Sequence, residues 1–253
     1  MPAPATPRTE AQLIEIFSSL QGEGLLIGRR QLFVRMAGCN LDCAYCDTPF
    51  APQAHCRVED APGSGNFRSL PNPLSLETLS NLVADWVHRL PGVHHSLSLT
   101  GGEPLMQTEA LREWLPVLRK LLPIHLETNG TLPAAVALVA AELDWVSTDL
   151  KLASVSGVET PWETHRDFLR QVARVPGCVK VVVGEETELS EVQQAAGLVH
   201  SAAPQLPLIL QPLTRAGEVG ISSRQLLDLQ TRAGLIHPLT QVIPQTHRFL
   251  GVL

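Results

Sequence analysis

The sequence predicts an α/β fold, a partial (open) TIM-like barrel of about six βα units, in a single domain over residues 1–253. Two observations carry that prediction. From about residue 31 onward, short β-branched or Leu-rich runs alternate with helical patterns, the signature of repeated βα units around a parallel sheet. Six units fall short of the eight that close a full barrel, so the barrel stays open, with a doubly wound flat sheet as the alternative. In either fold, chemistry gathers at the C-terminal ends of the strands.

Strands are expected at 31–37, 95–99, 124–127, 144–148, 178–183 and 207–211, each ending beside Gly, Pro or polar residues. The first helix is the clearest: Leu76, Leu79, Leu82, Val83, Trp86, Val87 and Leu90 share one face, Ser75 caps its start, and Pro91-Gly92 ends it. The others are expected at 108–121, 133–142, 161–174, 189–201 and 222–234, with Pro116 disturbing the second. A seventh strand fits 240–243. Residues 1–12 read as a flexible N-terminus, and 50–73, rich in Pro, Gly, Ser and Asn, as a loop insertion.

A chain that is 44% apolar has ample material for a core. A net charge of −6, without a block of like charges, argues against nucleic acid or a polybasic membrane anchor and favours small-molecule partners. The N-terminus lacks the apolar core of a secretion signal, and no apolar run approaches the roughly 18 residues of a membrane span. Three of the five cysteines lie within eight residues, a poor disulfide framework but a good metal-binding one, which points to a reducing cytoplasm.

Those cysteines form Cys39-Asn-Leu-Asp-Cys43-Ala-Tyr-Cys46, directly after the first parallel strand. Three thiolates can hold three irons of a cubane and leave the fourth iron open to a ligand. Structural zinc completed by Cys56 or His55 is the competing reading, under which the chain is a zinc-binding interaction module. Cys56 and Cys178 otherwise read as ordinary thiols.

The pattern C-x-x-x-C-x-aromatic-C resembles the signature of the radical SAM superfamily. That resemblance implies a 4Fe-4S cluster on Cys39, Cys43 and Cys46, with S-adenosylmethionine (SAM) on the open iron. Thr100-Gly-Gly-Glu-Pro104, after the second strand, resembles the superfamily's G-G-E-P motif, implying SAM contacts from Gly102 and Glu103. The later strand ends are also polar, and the resemblance makes Ser147, Asp149, Lys151 and Gln211 further SAM contacts. Lys180 reads either as facing the site or as paired within the barrel.

Phe17-Ser-Ser-Leu20-Gln21-Gly22-Glu23-Gly24, then Phe33-Val-Arg35-Met-Ala-Gly38-Cys39-Asn40, then Cys46-Asp47-Thr48, together resemble the 7-carboxy-7-deazaguanine synthase family, over about Glu15 to His247. The family converts 6-carboxy-5,6,7,8-tetrahydropterin to 7-carboxy-7-deazaguanine with loss of ammonia, on the way to queuosine and other 7-deazapurines. The resemblance implies a SAM-derived radical as the only catalytic group, magnesium on Thr48, and substrate contacts from Leu20, Gln21, Gly22, Arg35, Thr100 and His247. It also implies a homodimer and a reducing electron donor such as flavodoxin or ferredoxin. Physically, Arg35 on a strand leading into the cysteine loop can grip a carboxylate bidentately, or serve as a structural ion pair. Thr48 offers a hard oxygen to magnesium, or a capping hydroxyl. A glycyl-radical-enzyme activase shares the cysteine and Gly-Gly motifs, but Leu20-Gln-Gly-Glu-Gly24 speaks against it.

Overall fold

The computed structural model of the chain describes residues 10–46, 48–215 and 217–252. Its main sheet has ten strands: β1 (Leu13–Leu20), β2 (Arg30–Met36), β3 (His55–Glu59), β4 (Phe67–Pro71), β5 (Ser96–Gly101), β6 (Ile124–Thr128), β7 (Trp145–Asp149), β8 (Gly177–Val183), β9 (Leu208–Pro212) and β10 (Thr240–Val242). The spatial order is β10-β9-β8-β7-β6-β5-β2-β1-β3-β4. From β2 through β10 every neighbour is parallel, and the order never reverses. A doubly wound sheet needs a reversal at its switch point, so this winding belongs to an open barrel.

All six expected strands form, and the seventh forms as β10. Two regions depart from expectation. The 50–73 segment is not an irregular insertion: β3 and β4 pair antiparallel within it, and β3 lies parallel to β1. The buried Glu59 carboxylate fastens this hairpin, accepting from the amides of Ser18, Gly63 and Gly65. The second departure is β1, antiparallel to β2, which sequence periodicity does not announce because it is buried almost throughout. Residues 1–9 of the expected flexible N-terminus lie outside the described residues, whereas Glu10–Ala11 form a short strand paired with Leu74–Ser75.

The helices are α1 (Leu76–Arg89), α2 (Thr108–Leu118), α3 (Pro133–Ala137), α4 (Ala153–Ser156), α5 (Trp162–Val172), α6 (Leu189–Ala202), α7 (Ser223–Gly234) and α8 (Thr246–Leu250). Ser75 caps α1 as expected, its hydroxyl accepting from the Thr78 amide. α2 ends at Leu118 instead of 121, with Pro116 inside its last turn. The 133–142 helix shortens to α3 followed by a 3₁₀ turn.

Alternation along the parallel strands sorts the side chains. Leu97, Leu99, Leu126, Val146, Val179, Val181 and Leu208 face the helices and build the core with α1, α2, α5 and α6. The opposite face, lining the barrel interior, is polar. Gln31 Nε2 donates to Ser96 Oγ (2.7 Å) and lies 3.2 Å from His125 Nδ1, and His125 Nε2 reaches Ser147 Oγ at 2.9 Å. Burial pushes His125 down to about 4, so the ring is neutral and suited to that relay of neutral hydrogen bonds.

Candidate active site

The polar interior opens at the C-terminal strand ends into a cavity of about 350 Å³. The cysteine loop forms one wall. Gly38 starts it at a positive φ of 88°, its amide donating to the Phe50 carbonyl and its carbonyl accepting from the Glu103 amide. Asn40 closes a ring with the β6–α3 turn: Asn129 Nδ2 donates to Asn40 Oδ1, Asn40 Nδ2 to Thr131 Oγ1, and Thr131 Oγ1 to Asn129 Oδ1. Further along, the Ala44 amide donates to the Ser156 carbonyl, and Tyr45 packs against Val155, Val182 and Leu213.

Cys39, Cys43 and Cys46 are unpaired thiols, and all three line the cavity. Burial pushes the Cys39 and Cys43 thiols up and the neighbouring thiols add to it, while Lys151 pulls Cys43 back. Thiolates crowded in this way are stabilised by a bound cation, which is the chemistry of an iron cluster. Among the described residues, no three His, Cys, Asp or Glu side chains converge tightly enough to chelate one ion. Three thiols on one loop match three irons of a cubane with the fourth left open, and Cys56, one of the two residues the competing zinc reading would use, is buried in β3.

Gly101 and Gly102 line the cavity, for a reason other than ligand approach alone. A Cβ on Gly102 would lie 2.0 Å from the Gly38 carbonyl oxygen, and one on Gly101, at φ +123°, would lie 2.3 Å from that of Met36. The glycines let β5 pack against the start of the cysteine loop. Glu103, expected at SAM, is fully buried and engaged by the chain: its carboxylate accepts from the Asn129 amide (2.7 Å), the Leu105 amide (3.0 Å) and Thr128 Oγ1 (2.9 Å). Burial nevertheless pushes it up to about 7, against those donors. Ser147, also expected at SAM, is bonded to His125 in the barrel interior below the cavity, whereas Asp149, two residues on, reaches the cavity with Lys151 and Gln211. Gln211 Oε1 is buried without a hydrogen-bond partner, an open acceptor in the cavity wall.

The cavity wall also holds Leu20, Gln21, Gly22, Arg35, Thr48, Thr100 and His247. Gln21 Nε2 donates to Gln31 Oε1 and Glu127 Oε1, so β1 hands its end to the interior network. Arg35 forms an ion pair and also lines the cavity. Its Nε donates to Glu15 at 2.9 Å, Glu15 also holds Arg57, and its Nη1 stays at the cavity, 3.5 Å from Thr48 Oγ1. Phe17 and Phe33 stack at 5.0 Å and make the apolar floor beside it. The His247 ring packs on Gly22, where a Cβ would lie 2.3 Å from its Nδ1.

Sequence reasoning gave no role to Glu23, Thr214 and Gln245, which share this cavity, placed Glu127 only at a polar strand end, and left Lys180 undecided. Glu23 stands inside a quoted motif, but its pairing with Gln245 across 222 residues has no sequence signal. Lys180 is both things at once: buried, facing the cavity, and bound to Glu23. Burial works against both charges, yet Asp149 and Glu23 raise Lys180 well above its ordinary value, and Lys180 holds Glu23 well below its own.

The radical SAM superfamily model matches residues 33–175. A 7-carboxy-7-deazaguanine synthase of Geobacter sulfurreducens is 48% identical over 245 residues, spanning 96% of this chain and 98% of that protein. The synthase of Methanothermobacter thermautotrophicus is 34% identical, over 96% of this chain and 98% of its own. The crystal structure of QueE from Escherichia coli matches the fold with a TM-score of 0.58 at 21% identity, covering 94% of this chain and 95% of that one. Cavity, cysteine loop and full-length similarity agree, and the chain belongs to the 7-carboxy-7-deazaguanine synthase family of the radical SAM superfamily.

Proposed function

We propose that this radical SAM lyase converts 6-carboxy-5,6,7,8-tetrahydropterin to 7-carboxy-7-deazaguanine with release of ammonia, a step in 7-deazapurine biosynthesis. The observation that carries the reading is that the three cysteines and Arg35 open onto one cavity, in a chain 48% identical to a synthase along its whole length. When bound, a 4Fe-4S cluster and SAM supply a 5′-deoxyadenosyl radical.

The chain's own part is positioning and electrostatics. Cys39, Cys43 and Cys46 hold the cluster. Lys151, close enough to Cys43 to pull its thiol down, would offer its cation to the carboxylate of SAM. Gln211 offers its free acceptor to an amine, and the Gly102 backbone and Asp149 complete the SAM pocket. Glu103 and Ser147 act from behind as positioning residues, through Asn129 and His125 respectively. Arg35 grips the substrate carboxylate, Phe17 and Phe33 floor the flat ring, and Leu20, Gln21, Gly22, Thr100 and His247 border it. Thr48 would give a magnesium ion one hard oxygen ligand near Arg35. Burying the reaction among these walls keeps water from the radical.

Exposed Cys46 marks the side from which an electron donor such as flavodoxin or ferredoxin reaches the cluster. Exposed Leu227, Leu235, Leu239 and Val242, on and after α7, supply apolar surface for a homodimer. Five unpaired thiols support a reducing cytoplasm, and among the described residues no helix is long and apolar enough to cross a membrane. The test is anaerobic incubation of the reconstituted, reduced protein with SAM, magnesium and 6-carboxytetrahydropterin. Formation of 7-carboxy-7-deazaguanine is expected. SAM cleavage without that product would remove the synthase reading and leave the radical chemistry.

A further inference from the structure

Lys180 is 3% exposed, on β8, and stands between two groups of cavity residues. Its Nζ lies 2.5 Å from Glu23 Oε2 and 3.3 Å from Asp149 Oδ1. Asp149 belongs to the cluster side: its other oxygen accepts from Lys151 at 3.0 Å, and Lys151 lies over the Tyr45 ring of the cysteine loop. Glu23 belongs to the mouth: Oε1 accepts from Gln245 Nε2 at 2.9 Å, and the neighbouring Gly22 carbonyl accepts from the Thr246 amide and hydroxyl. A third carboxylate, Glu127, is near Lys180, but its Oε1 already accepts from Ser98 and Gln21.

The result is an alternating series, Lys151, Asp149, Lys180, Glu23, in which each inner charge is shared between two opposite ones. Burying such a series contributes little to stability compared with apolar residues of the same volume. Its distinctive property is that a charge added at one end redistributes the rest. We infer that Lys180 couples the two sides of the cavity, so that SAM bound at the Asp149 side and pterin bound under the Glu23–Gln245 closure each strengthen the other's binding.

The physical course is simple. Asp149, drawn toward a cationic group of the cofactor, gives up part of its hold on Lys180. The ammonium then turns wholly to Glu23, firming the 22–23 segment and the 245–246 segment tied to it. By thermodynamic reciprocity, a substrate that firms the same closure favours the cofactor equally. Lys180 is a positioning residue in this scheme, and the inference rests on the proposed SAM and pterin reading.

The test measures SAM binding to reconstituted holoenzyme without reductant, so that no turnover occurs, in the presence and absence of 6-carboxytetrahydropterin. The parent is expected to bind SAM at least about fivefold more tightly with the pterin present. In Lys180→Met and in Glu23→Gln that ratio should fall to within about twofold, with iron content unchanged, and Lys180→Arg should recover most of it. Glu23→Gln decides the matter if Lys180→Met does not fold, because it breaks the series while keeping the buried lysine paired to Asp149. A parent ratio of one, or the parent ratio persisting in Glu23→Gln, overturns the coupling. A parent that holds iron but binds no SAM overturns the functional reading instead.

Discussion

Two parts of the cavity wall are built differently. The cysteine wall is held by backbone bonds at Gly38 and Ala44 and by the neutral amide ring of Asn40, Asn129 and Thr131. The part that carries Arg35 and Glu23 is held by charge: Glu15 with Arg35 and Arg57, and Glu23 with Lys180 and Gln245. Neutral, directional bonds fix a geometry that salt and ligand charge barely alter, which suits an oxygen-sensitive cluster that must meet its ligand in one place. Charged pairs respond when another charge arrives, which suits the proposed role of Arg35 toward an anionic substrate.

The contrast can be broken most severely at the cysteines. Cys39→Ala should abolish cluster binding and product formation, read as iron and sulfide content and as SAM cleavage, while thermal unfolding of the apoprotein stays close to that of the parent. On the charged wall, Arg35→Ala should cost about 3 kcal/mol in substrate binding, on the order of 10²-fold in KM. Iron content should not change, and Glu15 keeps Arg57 as partner. Loss of iron in that variant would make Arg35 structural.

Glu103 sharpens the comparison, being the one buried carboxylate behind the neutral wall. Its folded value of about 7 lies above the ordinary 4.5, so its contribution to stability is full below pH 4.5 and is lost as pH rises through 7. That amounts to about 3 kcal/mol across the window, and urea midpoints of Glu103→Gln should lack this slope. A parent-like slope in the variant would place the titration elsewhere. The smallest effect belongs to Asn40→Ala, which opens a partly solvated ring and should cost about 1 kcal/mol in urea unfolding. Faster alkylation of Cys39 in the apoprotein should accompany it.

The parallel strands were legible because both of their faces are closed, one by helices and one by the barrel interior, which leaves compact β-branched runs such as Val179 to Val183. β3 and β4 were not, since His55-Cys-Arg-Val-Glu59 and Phe67-Arg-Ser-Leu-Pro71 carry too few apolar residues to stand out among the surrounding Pro and Gly. At the site, residue types announced the cysteines, Arg35 and the Gly-Gly turn. Which carboxylate meets ligand and which is spent inside the protein depends on strand pleat and on distant partners. Ser147 and Asp149 share a face yet differ by two residues of depth, and Glu103 turns to Asn129, 26 positions along the chain.

The β3–β4 hairpin also bears on how the protein behaves at the high concentrations that cluster reconstitution demands. Without it, β1, carrying Leu13, Ile16 and Phe17, would end the sheet with bare amides beside apolar side chains, a template for stacking molecule on molecule. With it, the outermost strand presents exposed Arg68, Ser69 and Pro71, a charge and a ring without an N–H, which recruit no further strand. Removing residues 55–71 should therefore turn a dispersed protein into one that precipitates.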